Sequence, residues 1–166
     1  MTEIEKLLAV QEIRNLKARY FECLDRKDWA GYKGVFTPDA VMDARETFHA
    51  ADPLTGEVRI YGKPELLATM DASGWLTTGA QAIADNAAAL LSSVCTVHRG
   101  FVPRITLDSW NVASGVWGME DMLRFPSGSP IEEIHGFGHY HETYARIDGR
   151  WLIRATRLTR LRIDVR

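Results

Sequence analysis

The chain has 166 residues, of which 46% are hydrophobic and 25% charged, and its net charge is -2. This length suits one domain that buries a core with a pocket inside it. The nearly balanced charge excludes the strongly basic surface of a nucleic-acid-binding domain. Two cysteines cannot form a disulfide framework. The first ten residues lack the apolar centre of a signal peptide and no segment resembles a membrane span, so we expect a cytoplasmic protein.

The first half of the chain favours helices. Residues 3–25 form the clearest one, because Ile13, Leu16, Tyr20 and Leu24 recur at three- and four-residue spacing between charges. The other predicted elements of this half are a helix over 29–36 capped by Asp28, a strand over 40–44, a polar loop over 45–57, a strand over 58–61, a helix opening at 62–65 and an Ala-rich helix over 79–94.

From residue 97 onward the hydrophobic pattern changes to a period of two, which is typical of strands. The predicted strands cover residues 97–107, 111–125, 134–147 and 150–163. The Asp148-Gly149 pair between the last two is a strong hairpin signal. Helices followed by long antiparallel strands predict an α+β fold, in which a curved sheet wraps around the first helix and leaves a cavity. Residues 1–166 contain no linker or repeat, so we expect one domain.

Strand 111–125 carries an acidic residue on an apolar face. Asp121 points the same way as the side chains of Trp117, Met119, Leu123 and Phe125. A buried carboxylate is costly unless it is paired, so this face predicts a site of proton transfer inside an apolar pocket. The alternative is a bulge that turns Asp121 to solvent and Glu120 inward.

Tyr20 and His98 are further candidates for proton transfer. Tyr20 lies on the apolar stripe of the first helix, where its hydroxyl needs a partner; a core tyrosine bonded to a backbone carbonyl would have the same pattern. His98 can exchange a proton near neutral pH. If it meets Asp121 across the strands, the carboxylate would fix its tautomer. Alone, His98 would be an ordinary, partly buried histidine.

Three histidines alternate on one face of strand 134–147, together with Phe137. His135, His139 and His141 have a spacing that can ligate a metal, but no nearby carboxylate spacing fixes a site, and the same face suits a polar interface. We therefore predict no metal and no other cofactor. We assign Phe137 to the substrate pocket with Trp117, Met119 and Leu123.

Several runs of the sequence resemble SnoaL-like proteins, which have the cone-shaped nuclear transport factor 2 fold. They are residues 12–25 with Asp28 and Trp29, then 97–100, 118–123 and 140–151. Within that superfamily, the order and spacing are most similar to bile-acid 7α-dehydratase and, more distantly, to scytalone dehydratase. The resemblance implies a cone of helices packed on a strongly curved, mostly antiparallel sheet.

The dehydratase pattern implies five site residues, which are Tyr20, Asp25, His98, Asp121 and Arg160. Taken alone, Asp25 near the end of the first helix would be explained by surface turn chemistry, since a carboxylate is unfavourable there. The chain departs from the pattern in a longer loop at 45–57 and an extra stretch between 70 and 94. These departures leave the substrate open.

Together, the residues and the resemblance predict a cofactor-independent lyase that eliminates water from a polycyclic or aromatic-derived hydroxy or carbonyl compound. His98 would act as the base and Asp121 would hold its imidazole, while Tyr20 with Arg160 would stabilise oxyanion charge or protonate the departing hydroxyl. The alternatives are an isomerase or cyclase in the same pocket, a non-catalytic small subunit like that of ring-hydroxylating dioxygenases, and a carrier of apolar ligands.

Strand 134–147 also bears on assembly. One of its faces carries Ile134, Tyr140 and Tyr144, and the other carries the histidines with Phe137. Neither face suits full exposure to solvent. A sheet with one face on a pocket and the other partly apolar usually covers the second by self-association, so we expect a homodimer or homotrimer.

Overall fold

A computed structural model describes residues 1–51, 54–60 and 75–166. The helices in these ranges are α1 Glu3–Arg26, α2 Trp29–Lys33 and α3 Ala80–Leu91. The strands are β1 Phe36–Asp43, β2 His49–Ala51, β3 Val58–Ile60, β4 Leu76–Thr78, β5 Cys95–Gly100, β6 Arg104–Leu107, β7 Val112–Arg124, β8 Glu133–Ile147 and β9 Arg150–Val165. Among the helices of these ranges, none has the length and apolar character needed to span a membrane.

Helix α1 has a well-defined start and end. The Thr2 side chain accepts a hydrogen bond from the backbone N–H of Glu5, and the Glu5 carboxylate accepts one from the backbone N–H of Thr2. This reciprocal capping box satisfies two donors that the first helical turn leaves free. The helix ends at Lys27, whose left-handed backbone lets its N–H reach the carbonyls of Cys23 and Leu24.

The strands form one open sheet around a central β9. The order along the sheet is β3-β2-β9-β8-β7-β5, while β1 pairs with β9 and β4, and β6 pairs with β7. Only the pairings of β1 and β2 with β9 are parallel among the described strands. The predicted α+β class, with N-terminal helices packed on a curved and mostly antiparallel sheet, is confirmed.

The strand register gathers alternate residues on a buried inner face beside α1. Asp121 of β7 lies opposite His98 on one side and Gly136 on the other, and Trp117 lies opposite Tyr140. The Asp121 residue is only 3% exposed. The inward orientation predicted for Asp121 is therefore confirmed, and the bulged alternative is excluded.

Some predicted boundaries are wrong in the sheet. The single strand predicted over 97–107 is interrupted between β5 and β6, where Pro103 has no N–H to donate to a neighbour. The loop predicted over 45–57 contains β2, whose Ala50 pairs with Arg160 of β9. The strand is stabilised by this long-range pairing, which the polar composition of the segment does not indicate.

The predicted helices are also only partly correct in their boundaries. Asp28 caps α2 as expected, since its carboxylate accepts from the Gly31 N–H at 2.9 Å. The helix ends at Lys33, however, and Phe36 already belongs to β1. Helix α3 is shorter than the predicted 79–94. The strand β4 within the extra stretch was not predicted, and the helix expected to open at 62–65 lies outside the described residues.

The core contains an ion pair between α1 and β8 that the sequence pattern does not predict. Nζ of Lys17 lies 2.5 Å from Oε1 of Glu142, and both side chains are fully buried. Glu142 also accepts hydrogen bonds from the hydroxyls of Tyr144 at 2.6 Å and Thr156 at 3.2 Å. Burial lowers the pKa of Lys17, and the charge of Glu142 opposes that change. The pair is thus satisfied on both sides, as buried charges must be.

Aromatic rings complete the surroundings of the same ammonium group. Nζ of Lys17 lies 3.8 Å from the ring centre of Tyr20 and 3.7 Å from that of Tyr140. The negative face of an aromatic ring attracts a cation, most strongly where water is excluded. The charge on Lys17 is therefore stabilised by a carboxylate and by two tyrosine rings.

We expect Lys17→Met to lower the free energy of unfolding by about 3–5 kcal/mol, because it leaves the Glu142 carboxylate buried without its counter-charge. Urea titration at neutral pH measures this quantity. The control is Lys6→Met on the same helix, which removes an exposed pair with Glu3 and should change stability by less than about 0.5 kcal/mol. Equal effects of the two substitutions would contradict a structural role for the buried pair.

Candidate active site

His98 and Asp25 form a hydrogen-bonded pair where β5 meets the end of α1. Nδ1 of His98 lies 2.6 Å from Oδ1 of Asp25, and the backbone N–H of His98 donates to Oδ2 at 2.8 Å. The two side chains are 6% and 24% exposed, respectively. Because an ionised carboxylate only accepts hydrogen bonds, Nδ1 carries a proton, and in the neutral ring the lone pair is therefore on Nε2. A general base with an orienting carboxylate has this arrangement.

The other ring nitrogen is available for chemistry. Nε2 of His98 makes no hydrogen bond to the residues that the structure describes. In the same part of the chain, the side-chain nitrogen and oxygen atoms that are fully buried and have no hydrogen-bond partner are Thr37 Oγ1 and Trp151 Nε1. Nε2 of His98 does not belong to this group. Nε2 is therefore not hydrogen-bonded among the described residues, and it is not completely shielded from solvent.

Asp25 is held by more than the imidazole ring. The hydroxyl of Thr96 donates to Oδ1 of Asp25 at 2.9 Å. Burial raises the pKa of Asp25, but the hydrogen bonds from His98 and Thr96 and the charge of His98 outweigh it and leave the pKa below its usual value. Asp25 therefore stays ionised at neutral pH. The contacts with His98 and Thr96 explain the position of Asp25, and the alternative of a surface turn is not needed.

The structure corrects the predicted partner of Asp121. Its carboxylate oxygens accept hydrogen bonds from Nη1 and Nη2 of Arg160 at 3.0 and 2.8 Å. Both side chains are almost fully buried, and Nε of Arg160 donates to the carbonyl of Thr47 at 3.2 Å. This bidentate pairing satisfies both oxygens of Asp121. The predicted pairing of His98 with Asp121 is therefore wrong, and the orienting carboxylate is Asp25.

Three tyrosines lie together on the inner face, where one of them, Tyr140, is influenced by the pair of Asp121 and Arg160. The ring of Tyr20 lies 5.1 Å from that of Tyr32 and 5.9 Å from that of Tyr140, centre to centre. Burial, followed by the neighbouring phenols, raises the pKa of Tyr20 well above its usual value. Burial and the charge of Asp121 do the same for Tyr140. Both hydroxyls therefore stay protonated at neutral pH and can donate hydrogen bonds.

The predicted pocket residues divide between two faces. Trp117 and Met119 are buried on the inner face, within the main apolar core. Leu123 packs against a second, smaller apolar cluster. Phe137 lies opposite Glu120 on the outer face, because even-numbered residues of β8 are the ones that point inward. The assignment of Phe137 to the same pocket as Trp117 is therefore wrong.

The three alternate histidines also lie on the outer face. Nε2 of His135 is 2.7 Å from Oε1 of Glu120, and Nε2 of His141 is 3.0 Å from the hydroxyl of Thr159. The rings of His139 and His141 lie 6.2 Å apart. Within residues 1–51, 54–60 and 75–166, no group of three or more His, Cys, Asp or Glu side chains is arranged to hold a metal ion.

Two surface grooves lie away from the His98–Asp25 pair. One, of about 450 Å³, crosses the outer face of the sheet near Arg104 and His141. The other, of about 540 Å³, runs along the outside of α1 near Arg19. Neither groove is lined by His98 or Asp25, so neither is the place where this base would act.

Residues 5–157 match the family model of the SnoaL-like domain. This match covers most of the chain and assigns it to a class of SnoaL-like domains. The chain therefore belongs to the SnoaL-like domain family. The resemblance found in the sequence is confirmed at this level.

Solved structures share the fold over nearly the whole chain. A candidate scytalone dehydratase from Novosphingobium aromaticivorans has a TM-score of 0.71 at 17% identity, covering 99% of this chain and 91% of that one. The hexachlorocyclohexane dehydrochlorinase LinA-type3 from Novosphingobium barchaimii has a TM-score of 0.70 at 13% identity, covering 99% and 94%. A protein of unknown function from Mycobacterium tuberculosis has a TM-score of 0.69 at 21% identity, covering 96% and 76%. The TM-scores demonstrate a common fold.

Gly136 makes room for the buried pair of Asp121 and Arg160. A Cβ atom at this position would collide with Nη1 of Arg160 and Oδ1 of Asp121. Both atoms belong to a bidentate pair that is closed off from solvent. A side chain here would therefore have to displace two charges that have no solvent to move into.

We expect Gly136→Ala to lower the free energy of unfolding by about 2–3 kcal/mol, since overpacking a filled interior forces side chains from their preferred positions. The control is Gly118→Ala, where the new Cβ would meet Phe101 at 3.6 Å, an ordinary contact. That change should cost less than about 0.5 kcal/mol. Urea titration of both variants measures the difference, and a Gly136→Ala protein as stable as the control would contradict it.

Proposed function

We propose that this protein is a cofactor-independent lyase that eliminates water from a hydroxy-carbonyl compound, with His98 as the general base. The observation that carries the proposal is the partly buried pair in which Asp25 accepts from Nδ1 while Nε2 has no hydrogen-bond partner among the described residues. A neutral imidazole held in one tautomer by a carboxylate is suited to proton abstraction from carbon.

In the proposed reaction, Nε2 of His98 removes a proton from the carbon next to a carbonyl group. The electron pair of the broken C–H bond forms a C=C bond, and the C–O bond to the hydroxyl on the next carbon breaks. The departing oxygen takes a proton from the imidazolium or from a tyrosine and leaves as water. Asp25 stabilises the imidazolium in between, and general acid–base help of this kind contributes about 10²–10⁴-fold.

The carbonyl oxygen gains negative charge as the proton is removed, and we assign its stabilisation to the tyrosines. The hydroxyls of Tyr20 and Tyr140 are protonated and buried, and donors in a water-excluded site stabilise developing charge strongly. Arg160 has a different role from the one first expected. Its guanidinium is bound to Asp121. Arg160 therefore neutralises the charge of this carboxylate next to Tyr140.

The solved structures support elimination as the reaction class. The two enzymes among them are named for the loss of water and of hydrogen chloride, and each such loss begins or proceeds with removal of a proton. A polycyclic or aromatic-derived substrate is the proposal that the sequence resemblance adds. An isomerase would use the same base without expelling the hydroxyl.

The test is to incubate the protein with a panel of polycyclic and aryl β-hydroxy ketones. Formation of the conjugated enone product is measured by its absorbance. His98→Ala should lower kcat/KM by at least about 10²-fold while far-UV circular dichroism stays unchanged. Asp25→Asn should also lower it, because the imidazole loses its orienting charge. The wild-type kcat/KM should rise with pH through one ionisation, since only an unprotonated ring can accept the proton.

The matched control is His141→Ala, which removes a histidine from the outer face of the sheet and should leave kcat/KM unchanged. Retained activity in His98→Ala would remove this residue from the mechanism. Exchange of a substrate proton with deuterated water, without formation of the enone, would assign the protein to the isomerases.

We also propose that the protein is a homodimer or homotrimer assembled through the outer face of the sheet. Phe137 lies on that face and is partly buried, and its ring centre is 4.4 Å from that of His135 with the two rings tilted at 37°. Self-association would cover these rings. Light scattering at micromolar concentration measures the mass, and a monomer would reject the proposal.

A further inference from the structure

A chain of hydrogen bonds continues beyond the His98–Asp25 pair. Nζ of Lys27 donates to the hydroxyl of Thr96 at 2.8 Å, and that hydroxyl donates to Oδ1 of Asp25 at 2.9 Å. The same carboxylate oxygen accepts from Nδ1 of His98 at 2.6 Å. An ammonium group has no acceptor, so the hydroxyl hydrogen of Thr96 must point towards Asp25. The direction of each bond in the chain is therefore fixed.

The backbone of Lys27 gives a second, independent observation. This residue ends α1 with φ 61° and ψ 27°, in the left-handed region. Glycine is the usual residue at such a helix end, because a side chain makes the left-handed conformation unfavourable. A lysine therefore occupies a position where glycine would be accommodated more easily. A residue kept in an unfavourable conformation often has a functional reason.

Several charged groups surround the pair, and they do not all act on it equally. Asp25 and Lys27 come from the end of α1, Cys95 lies beside Thr96 on β5, and Asp121 faces the ring from β7. Asp121 is compensated by the bidentate guanidinium of Arg160 from β9. Burial lowers the pKa of Lys27, while the charge of Asp25 opposes that change. Lys27 is thus linked by charge and by hydrogen bonds to the carboxylate that holds His98.

We propose that Lys27 and Thr96 are positioning residues that hold the Asp25 carboxylate under the His98 ring and weaken the negative charge it presents there. The inference rests on the proposed role of His98 as the base. A carboxylate by itself favours the protonated imidazole, and a protonated ring cannot accept a proton from a substrate. The cation, acting through Thr96, offsets this effect and extends the pH range in which the ring is a base.

The experiment is an NMR titration of the histidine rings in the full chain, with the His98 signals assigned by their loss in His98→Gln. Lys27→Gly and Thr96→Val should each move the His98 midpoint to a higher pH, by about 0.5 or more, because the carboxylate then acts on the ring without its competing partner. Thr96→Ser keeps the hydroxyl and should stay within about 0.2 of the wild type.

Lys27→Gly also separates the effect of the lysine charge on His98 from the effect of the lysine on stability. Glycine suits the left-handed end of α1, so this variant should unfold at the same urea concentration as the wild type or a higher one. A merely structural lysine would give no change of the His98 midpoint in a protein of that stability. Midpoints within about 0.2 of the wild type, or lower, in both Lys27→Gly and Thr96→Val would overturn the proposal.

Asp25→Asn distinguishes this failure from a failure of the proposed function. A lower His98 midpoint in Asp25→Asn supports the pair, because the imidazolium has lost its counter-charge. If that midpoint falls while those of the Lys27 and Thr96 variants do not move, the base stands and the positioning role is overturned. If Asp25→Asn leaves the midpoint unchanged, both proposals lose their basis.

Discussion

The ion pair between Lys17 and Glu142 determines how the first helix sits on the sheet. Both charges are fully buried, so neither can move towards water without leaving the other uncompensated. A helix is a stiff element with a rise of about 1.5 Å per residue, so fixing one of its residues fixes the rest. The pair thereby sets the place at which Tyr20 enters the interior. It also sets where Asp25, two turns further along, meets the strand that carries His98.

Two compensated ion pairs flank the tyrosines. Lys17 lies against the ring of Tyr140 from the helix side, and the pair of Asp121 and Arg160 acts on the same tyrosine from the sheet. Because each pair is neutral in sum, the interior carries local fields without a net charge. Preorganised dipoles of this kind need no rearrangement when charge develops on a bound molecule. The proposed elimination would use this ordered interior to stabilise the charge that develops on the substrate.

The sequence pattern predicted correctly which face of a helix or strand carries Tyr20 or Asp121, but it did not predict which charged side chains pair with each other. A period of two placed Asp121 inward, and the helical stripe placed Tyr20 inward, because both rules depend only on local geometry. Which charge meets which depends on the register between strands and on long-range packing. The residues alone therefore paired His98 with its cross-strand neighbour Asp121, whereas the structure gives that neighbour to Arg160. Arg160 and Asp25 entered only through the family resemblance.

Other misses follow from the same cause. Odd-numbered residues of β7 pair with even-numbered residues of β8, so the parity of Phe137 could not be judged without the register. Lys17 did leave a signal in the sequence. It lies four residues after Ile13 and three before Tyr20, on the buried stripe of α1. A lysine at such a position requires a buried counter-charge, although the helix itself does not show where that charge comes from.

The central place of β9 has a consequence for how the chain is made. This strand pairs with β8 on one side and with β1 and β2 on the other, although β1 leaves the ribosome more than a hundred residues earlier. Until the final strand emerges, β1 lacks its long neighbour and Asp121 lacks the guanidinium that compensates it. Contacts between such distant parts of a chain form late and slowly. A nascent polypeptide of this kind therefore exposes incomplete sheet edges until β9 has emerged.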